Sequence, residues 1–178
     1  MIVTRTYLSI ARPDDLIAPR DGEMPLVLHR EAPCTTATWR ALYAQIGGPW
    51  HWHDRDALAD DVLQAHLDRP AVRVFVVRLP HEAGHANTHT TAGGMLELEQ
   101  HVDGSVEIVY LGLDQRLMGQ GLGAWLVTGA VREAFAWGAS RVWLHTCTLD
   151  APAALPNYLA RGFVVTRTEQ YEVASPPS

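Results

Sequence analysis

The chain has 178 residues, of which 47% are hydrophobic and 19% charged, a balance typical of a globular protein rather than a wholly disordered one. Its formal net charge is −6 and its basic residues form no cluster, so the sequence predicts no nucleic-acid partner and favours a neutral or cationic one. No segment approaches the roughly 20 apolar residues of a membrane helix, and no secretion signal precedes the first strand. Two cysteines in unlike contexts, Cys34 and Cys147, predict reduced thiols in a cytoplasmic protein without membrane contact.

The spacing of apolar residues predicts an alternating series of strands and helices, since strands repeat every two residues and helices every three or four. In chain order these are strands at 2–10 and 25–30, helices at 35–47 and 56–67, strands at 72–77, 94–100 and 106–113, a helix at 121–137, a strand at 141–147, a helix at 153–161 and a strand at 163–173. This order predicts one mixed α/β domain over residues 1–178, with a frayed tail at 174–178.

The segment PHEAGHANTHTT, residues 80–91, contains a literal match to the H-E-x-x-H motif of zinc peptidases. The two histidines of that motif share a zinc ion only when a helix places them one turn apart. Pro80, Gly84 and the strands predicted on both sides favour a solvated hairpin loop instead. We therefore predict no metal site in this segment.

A glycine-rich turn, MGQGLG at 118–123, lies between the strand at 106–113 and the following long helix. Glycines allow close approach of the backbone, and the first N–H groups of a helix have no intrahelical acceptor, so such a turn suits phosphate oxygens. The glycines are equally compatible with a plain, closely packed strand-to-helix turn. The spacing fits neither the dinucleotide fingerprint G-x-G-x-x-G nor a Walker A loop.

Three pieces of the chain, LGLDQRLMGQGLG, RVWLHTC and NYLARGF, together resemble the coenzyme A-binding core of the GNAT superfamily of N-acetyltransferases. The resemblance covers residues 35–173, is strongest over 105–163, and is poor over the variable strands of residues 1–30. It implies an α/β fold with a mostly antiparallel central sheet, flanked by helices and splayed between the strands at 106–113 and 141–147. It also implies direct transfer of an acetyl group from acetyl-coenzyme A to a primary amine of a small molecule or peptide, without a metal. Dimers that pair terminal strands are common in that family, so the resemblance allows a homodimer.

The resemblance also assigns residues to the cofactor. It places the backbone of Leu111 and Leu113 beside the pantetheine arm, with the Leu113 N–H on the thioester carbonyl and Gly112 allowing a bulge. The remaining cofactor contacts are Met118, Gly119, Gln120, Gly121, Leu122, Gly123 and Asn157.

Met118 stands where the family usually has Arg or Gln. That departure removes one polar contact, worth about 0.5–3 kcal/mol, for which Arg116 could compensate. It leaves open an alternative from another class, a non-catalytic coenzyme A-binding sensor or interaction module on the same fold.

For the chemistry, Tyr158 in NYLARGF matches the family tyrosine that protonates the departing thiolate, although its ring could simply pack on the core. Glu107 in VEIVYLGL matches the glutamate that serves as general base in protein-acetylating members, although it could be a solvated strand residue. Glu97 and Glu99, which share a strand face, and His145 are the other candidates for the base.

The stretch GGPWHWHDR, residues 47–55, falls where the family commonly borders its acceptor site. The acceptor-binding residues implied there, together with His145 across the split, are Trp50, His51, Trp52 and His53, with Asp54 as a counter-charge. A packed loop with stacked indoles is the equally weighted alternative.

Overall fold

A computed structural model describes residues 1–20, 22–50, 52–79 and 92–173, and its elements follow the predicted order. The strands are β1 (Ile2–Ile10), β2 (Val27–Glu31), β3 (Val72–Arg78), β4 (Gly94–Gln100), β5 (Val106–Leu113), β6 (Val142–Cys147) and β7 (Val164–Glu172). The helices are α1 (Thr36–Gly47), α2 (Asp60–Leu67), α3 (Leu122–Ala136) and α4 (Ala154–Ala160). The HEAGH segment, His51 and the tail at 174–178 lie outside the described residues, so the predictions made for them stay predictions.

The described strands form one sheet in the order β2-β3-β4-β5-β6-β1-β7. Neighbours are antiparallel, except that β5 and β6 are parallel. Those two strands pair only at their beginnings, where Val106 lies opposite Val142 and Glu107 opposite Trp143. Beyond Glu107 the strands diverge. The predicted mixed α/β fold, with its mostly antiparallel sheet splayed between these two strands, is confirmed.

Helices cover both faces of the sheet, because each strand alternates the side to which its apolar residues point. On one face α1 and α2 bury Trp39, Ile46 and Leu63 against Val74, Val76, Met95 and Tyr110. On the other face α3 and α4 bury Val127, Val131 and Tyr158 against Leu96, Leu98, Ile108 and Leu144. No helix in these parts of the chain is long and apolar enough to cross a membrane.

The bulge in β5 lies at Val109, and the predicted bulge at Gly112 is wrong. Opposite the consecutive residues Glu97 and Leu98 of β4 stand Tyr110 and Ile108, so Val109 is the extra residue. A bulge reverses the alternation of side chains, which places Ile108 in the core under α3 but Tyr110 in the core under α1. A glycine at position 112 instead allows α1 to pack closely on the strand, since a Cβ there would lie 2.6 Å from Cγ2 of Ile46.

Helix α2 begins at Asp60, four residues after the predicted start at 56. Residues 53–58 form tight turns, in which Asp56 N donates to His53 O and Leu58 N to Arg55 O. Tertiary contacts hold this shape, because Arg40 donates to the Leu58 carbonyl (2.6 Å) and Arg55 turns inward to the sheet. These contacts override the helical preference of the local sequence.

The first strand of the chain is an interior strand of the sheet, on the β6 side of the split. Strand β1 runs between β6 and β7, with Arg5 opposite Cys147 on one side and Glu169 on the other. Its apolar residues Leu8 and Ile10 are almost fully buried in the core under α3. Residues from the start of the chain therefore build the wall that faces β5 across the split.

Candidate active site

The divergence of β5 from β6 opens a cleft of about 790 Å³. Its walls come from the second half of β5, the glycine turn, the end of β6, the segment leading into α4, and the segment between α1 and α2. Of the site residues predicted from the sequence, those on its walls are Trp50, Trp52, His53, Leu111, Leu113, Met118, Gly119, Gly121, Gly123, His145, Asn157 and Tyr158. Gln120, Leu122 and Glu107 are not among the lining residues.

The glycine turn presents unpaired backbone donors at one end of the cleft. Gly119 and Gly121 have φ angles of 74° and 76°, a left-handed conformation that favours glycine, and Gly121 is the N-cap of α3. Within the described residues the N–H groups of 119–123 have no backbone or side-chain acceptor. A Cβ at Gly119 or Gly121 would meet nothing within 4 Å, so the space above the turn is open. Such an array of donors at a helix N-terminus fits the oxygens of a phosphate group.

The side chains near this turn add little positive charge. Met118 is 36% exposed and lines the cleft with a thioether. The guanidinium of Arg116 is held by Asp114, whose Oδ1 accepts from Arg116 Nε at 2.7 Å. Asp114 also accepts from Gln45 Nε2 at 2.6 Å. Binding of an anion at this turn would therefore rest on the backbone donors and the helix dipole.

The open edge of β5 offers a second set of donors. Asp114 N–H donates to Gly93 O at 2.9 Å, on the β4 side of the strand. Because alternate residues of a strand direct their N–H groups to opposite sides, those of Leu111 and Leu113 point into the split. The thioester arm of a cofactor bound at the glycine turn could receive hydrogen bonds from them.

Tyr158 lies on the opposite wall, on α4. Its side chain is 9% exposed and its ring contacts Phe163 edge-on, at a centroid distance of 6.0 Å. Burial, reinforced by the negative charge of Asp150, raises the pKa of the Tyr158 phenol above its usual value, so the hydroxyl keeps its proton at neutral pH. No other described residue hydrogen-bonds to this hydroxyl. Asn157, the preceding residue, approaches Gly123, where a Cβ would lie 3.4 Å from Asn157 Nδ2.

Glu107 lies at the closed end of the split, where β5 and β6 still pair. Its Oε2 is 3.1 Å from Nε2 of His101, and its side chain is 13% exposed. Burial raises the pKa of this carboxyl above its usual value despite the opposing contact with His101. A raised pKa suits a general base, but the geometry does not put this carboxylate on the cleft wall.

The other carboxylates considered as bases are also away from the cleft. Glu97 and Glu99 share a face of β4, as predicted, and both point toward α1 and α2. Glu97 is 0% exposed, and its oxygens accept from Trp39 Nε1 (2.6 Å), Arg55 Nη1 (2.8 Å) and His66 Nε2 (3.1 Å). Glu99 pairs with Arg69 at 2.8 Å.

His145, by contrast, lies on the cleft wall. Its ring is exposed to the cleft and packs edge-on against Tyr7 at a centroid distance of 5.7 Å. Desolvation by the surrounding protein, followed by the positive charge of Arg5, lowers the pKa of His145 below its usual value. The imidazole is therefore neutral at physiological pH and can accept a proton.

The segment between the first two helices, residues 50 and 52–59, we call the α1–α2 loop. It contributes Trp50, Trp52, His53 and Asp54 to the walls of the cleft. Trp52 packs where Gly47 and Gly112 leave space, since a Cβ on Gly47 would collide with the indole. The Trp52 ring lies 4.9 Å from the ring of Tyr110 and 5.8 Å from that of Tyr43. Trp52 is therefore both packed, with its indole tilted against Tyr43 and Tyr110, and part of the cleft lining.

Some cleft residues could not be found from the sequence. Arg5 lines the cleft from β1, outside the region of family resemblance, and no local pattern marks it. Tyr110 reaches the α1–α2 loop only because the bulge at Val109 redirects it. Cys147 and Asp150 line the cleft because they lie at and just after the end of β6. The position of β6 depends on its pairing with β1, which is distant in the sequence.

No group of three or more potential metal ligands occurs among the described residues. A model of the acetyltransferase (GNAT) family matches residues 36–163 of the chain, which is more than half of it. No curated protein sequence matches.

Solved structures of similar fold are known. A GCN5-related N-acetyltransferase from Sphaerobacter thermophilus superposes with a TM-score of 0.64 at 16% identity, covering 94% of this chain and 50% of that one. A second, from Kribbella flavida, gives 0.59 at 19% identity, with 93% and 55% covered. An aminoglycoside acetyltransferase from an uncultured soil metagenomic sample gives 0.58 at 19% identity, with 77% and 87% covered. The chain thus spans about half the length of the first two, and these likenesses concern the fold.

Proposed function

Since this chain belongs to the GNAT acetyltransferase family, we propose that it is an acetyl-coenzyme A-dependent N-acetyltransferase that acts on a primary amine of a small molecule or peptide. The observation that carries the proposal is the cleft between β5 and β6, whose walls include both the glycine turn, with unpaired N–H groups at 119–123, and the aromatic residues of the α1–α2 loop. Acetyl-coenzyme A would supply the activated acetyl group. The donors suited to the co-substrate and the loop assigned to the acceptor line the same cleft, which supports direct transfer between the two substrates.

The backbone donors bind and orient the co-substrate. The N–H groups of the glycine turn hold the pyrophosphate, and Asn157 contacts the pantetheine arm near the start of α3. The N–H groups of Leu111 and Leu113 stabilise the negative charge that develops on the thioester oxygen during attack. Because these donors are fixed in the backbone, they need little reorganisation as the charge develops.

Proton transfer falls to two side chains on the wall opposite β5. An alkyl amine with an ordinary pKa of about 10.4 is almost wholly protonated at pH 7, so a base is useful. His145 is neutral and faces the cleft, which supports it over Glu107 as the group that removes the amine proton. Tyr158 keeps its proton at neutral pH and gives it to the leaving thiolate.

The experiment is titration of acetyl-coenzyme A by calorimetry, followed by a thiol-release assay with a panel of amines, peptides and aminoglycosides. Binding with amine-dependent thiol release supports the enzyme. Binding without turnover on any acceptor supports the alternative, a non-catalytic coenzyme A sensor, which the apolar Met118 and the neutralised Arg116 favour. No binding overturns both.

A further inference from the structure

The α1–α2 loop presents an aspartate that forms no salt bridge with any described residue. Asp54 lines the cleft and is exposed to it. Its Oδ1 accepts from the Tyr43 hydroxyl at 2.7 Å, and its Oδ2 accepts from the Tyr110 hydroxyl. Both donors are neutral phenols, and their pKa values are raised by burial and then by Asp54 itself, so they stay protonated. The hydroxyls fix the direction of the carboxylate but leave its negative charge in place.

Two arginines lie near Asp54, and neither forms a salt bridge with it. The guanidinium of Arg55 lies over the Tyr110 ring at 4.9 Å and acts on Asp54 electrostatically. The adjacent Arg55 turns into the core, where its Nη1 lies 2.8 Å from Glu97 Oε1. Arg5, the lining arginine from β1, faces Glu169 at 3.5 Å. Among the described residues none forms a salt bridge with Asp54. A carboxylate that is held in place by two hydroxyls and forms no salt bridge is suited to bind a further cation.

The surfaces around Asp54 also suit a cation. The indoles of Trp50 and Trp52 line the cleft together with Asp54, whereas one face of the Tyr110 ring is already covered by Arg55. Aromatic faces attract ammonium groups through the ring quadrupole, and the attraction grows as water is excluded. Carboxylate and indole together form a subsite for an alkylammonium ion.

The bound cation is distinct from the amine that reacts, for which His145 is the proposed base. A carboxylate that pairs with an ammonium ion without accepting its proton stabilises the form that cannot attack. We infer that Asp54 binds a second cationic group of the acceptor, which stays charged throughout, and that the preferred acceptors are diamines or larger polyamines. This inference rests on the proposed acetyltransferase function.

The test compares two probes of equal length that differ by one ammonium group, 1,5-diaminopentane and pentylamine. Binding is measured by calorimetry on protein saturated with coenzyme A, and kcat/KM by thiol release. The wild-type protein should prefer the diamine by roughly tenfold in both measurements. Asp54→Asn should bring the ratio of the two amines close to one, in both affinity and kcat/KM. Asp61→Asn, which removes the same charge from the exposed first turn of α2, should retain it.

The outcomes separate this inference from the proposed function. A preference for the diamine that persists in Asp54→Asn overturns the inference, as does an equal loss for both amines, which would make Asp54 structural. Equal affinity of the wild-type protein for the two probes, or no binding of either, also overturns it. Diamine binding that depends on Asp54, without acetylation of either probe, upholds the cation subsite and contradicts the proposed function.

Discussion

Replacement of Glu97 by Gln removes the charge that anchors the α1–α2 loop to the sheet. Glu97 is fully buried and pairs with Arg55, which is itself only 14% exposed, at 2.8 Å. The neutral amide leaves that guanidinium without a counter-charge, for which about 3–5 kcal/mol is the usual cost. We expect the lower end, about 3 kcal/mol, because Arg55 also lies over the rings of Trp39 and Tyr110 at 5.4 and 4.9 Å.

The assay is urea unfolding followed by intrinsic fluorescence. With a slope of about 2 kcal/mol per molar urea, the midpoint should fall by about 1.5 M. The matched control is Glu99→Gln on the same strand. Glu99 lies 2.8 Å from Arg69, whose side chain is 46% exposed. An exposed pair contributes at most about 1 kcal/mol, so this control should shift the midpoint by about 0.5 M or less.

The pH dependence gives a second criterion. Burial alone would raise the pKa of Glu97, but the hydrogen bond from His66 and the charge of Arg55 outweigh it and hold the pKa below its usual value. The contribution of the Glu97 charge to the free energy of unfolding is therefore fully present above about pH 4.3, the pKa of a glutamate in the unfolded chain. It is lost as the pH falls through the lower pKa that Glu97 has in the folded protein. Equal midpoint shifts for the two variants, or a difference that does not shrink below about pH 4, would refute the reasoning.

Three further predictions concern the cleft. Tyr158→Phe should lower kcat by about 100-fold or more with little change in the calorimetric affinity for acetyl-coenzyme A, since only the proton donor is lost; an unchanged kcat would remove this residue from the mechanism. In the wild-type protein kcat/KM should fall as the pH drops through the lowered pKa of His145, below about 6.5, and this fall should be absent in His145→Gln. If the fall is absent in Glu107→Gln instead, the base is the Glu107 carboxylate. Alkylation followed by mass spectrometry should label Cys147, with protection by coenzyme A, and spare Cys34, whose thiol pKa burial raises to about 12; labelling of Cys34 at a comparable rate would contradict its burial.

The sequence was a good guide wherever the information is local. Apolar periodicity placed each strand and helix in the right order, and the glycine-rich segment at 118–123 was correctly predicted to be the turn between β5 and α3. The splayed sheet was predicted from the family resemblance, because the segments in which the resemblance is strongest include β5 and β6, the strands on both sides of the split.

Features set by distant contacts could not be predicted. A bulge is a mismatch between two strands, and nothing in VEIVYLGL distinguishes an extra Val109 from a kink at Gly112. The late start of α2 depends on Arg55 reaching Glu97, a contact across many residues of sequence. The position of Glu107 away from the cleft depends on how far β6 remains paired with β5.

The insertion of β1 between β6 and β7 has a consequence for biosynthesis. Strands β2 to β5 pair with neighbours close in sequence and can assemble as they leave the ribosome, whereas β1 must wait for partners more than a hundred residues downstream. The amino terminus of Met1 ends beside the Val173 carbonyl, at 3.0 Å. Because His145 and Tyr158 also follow β5 in the sequence, the cleft is completed only after α4 has been translated, and the proposed affinity for coenzyme A should then arise in a single step.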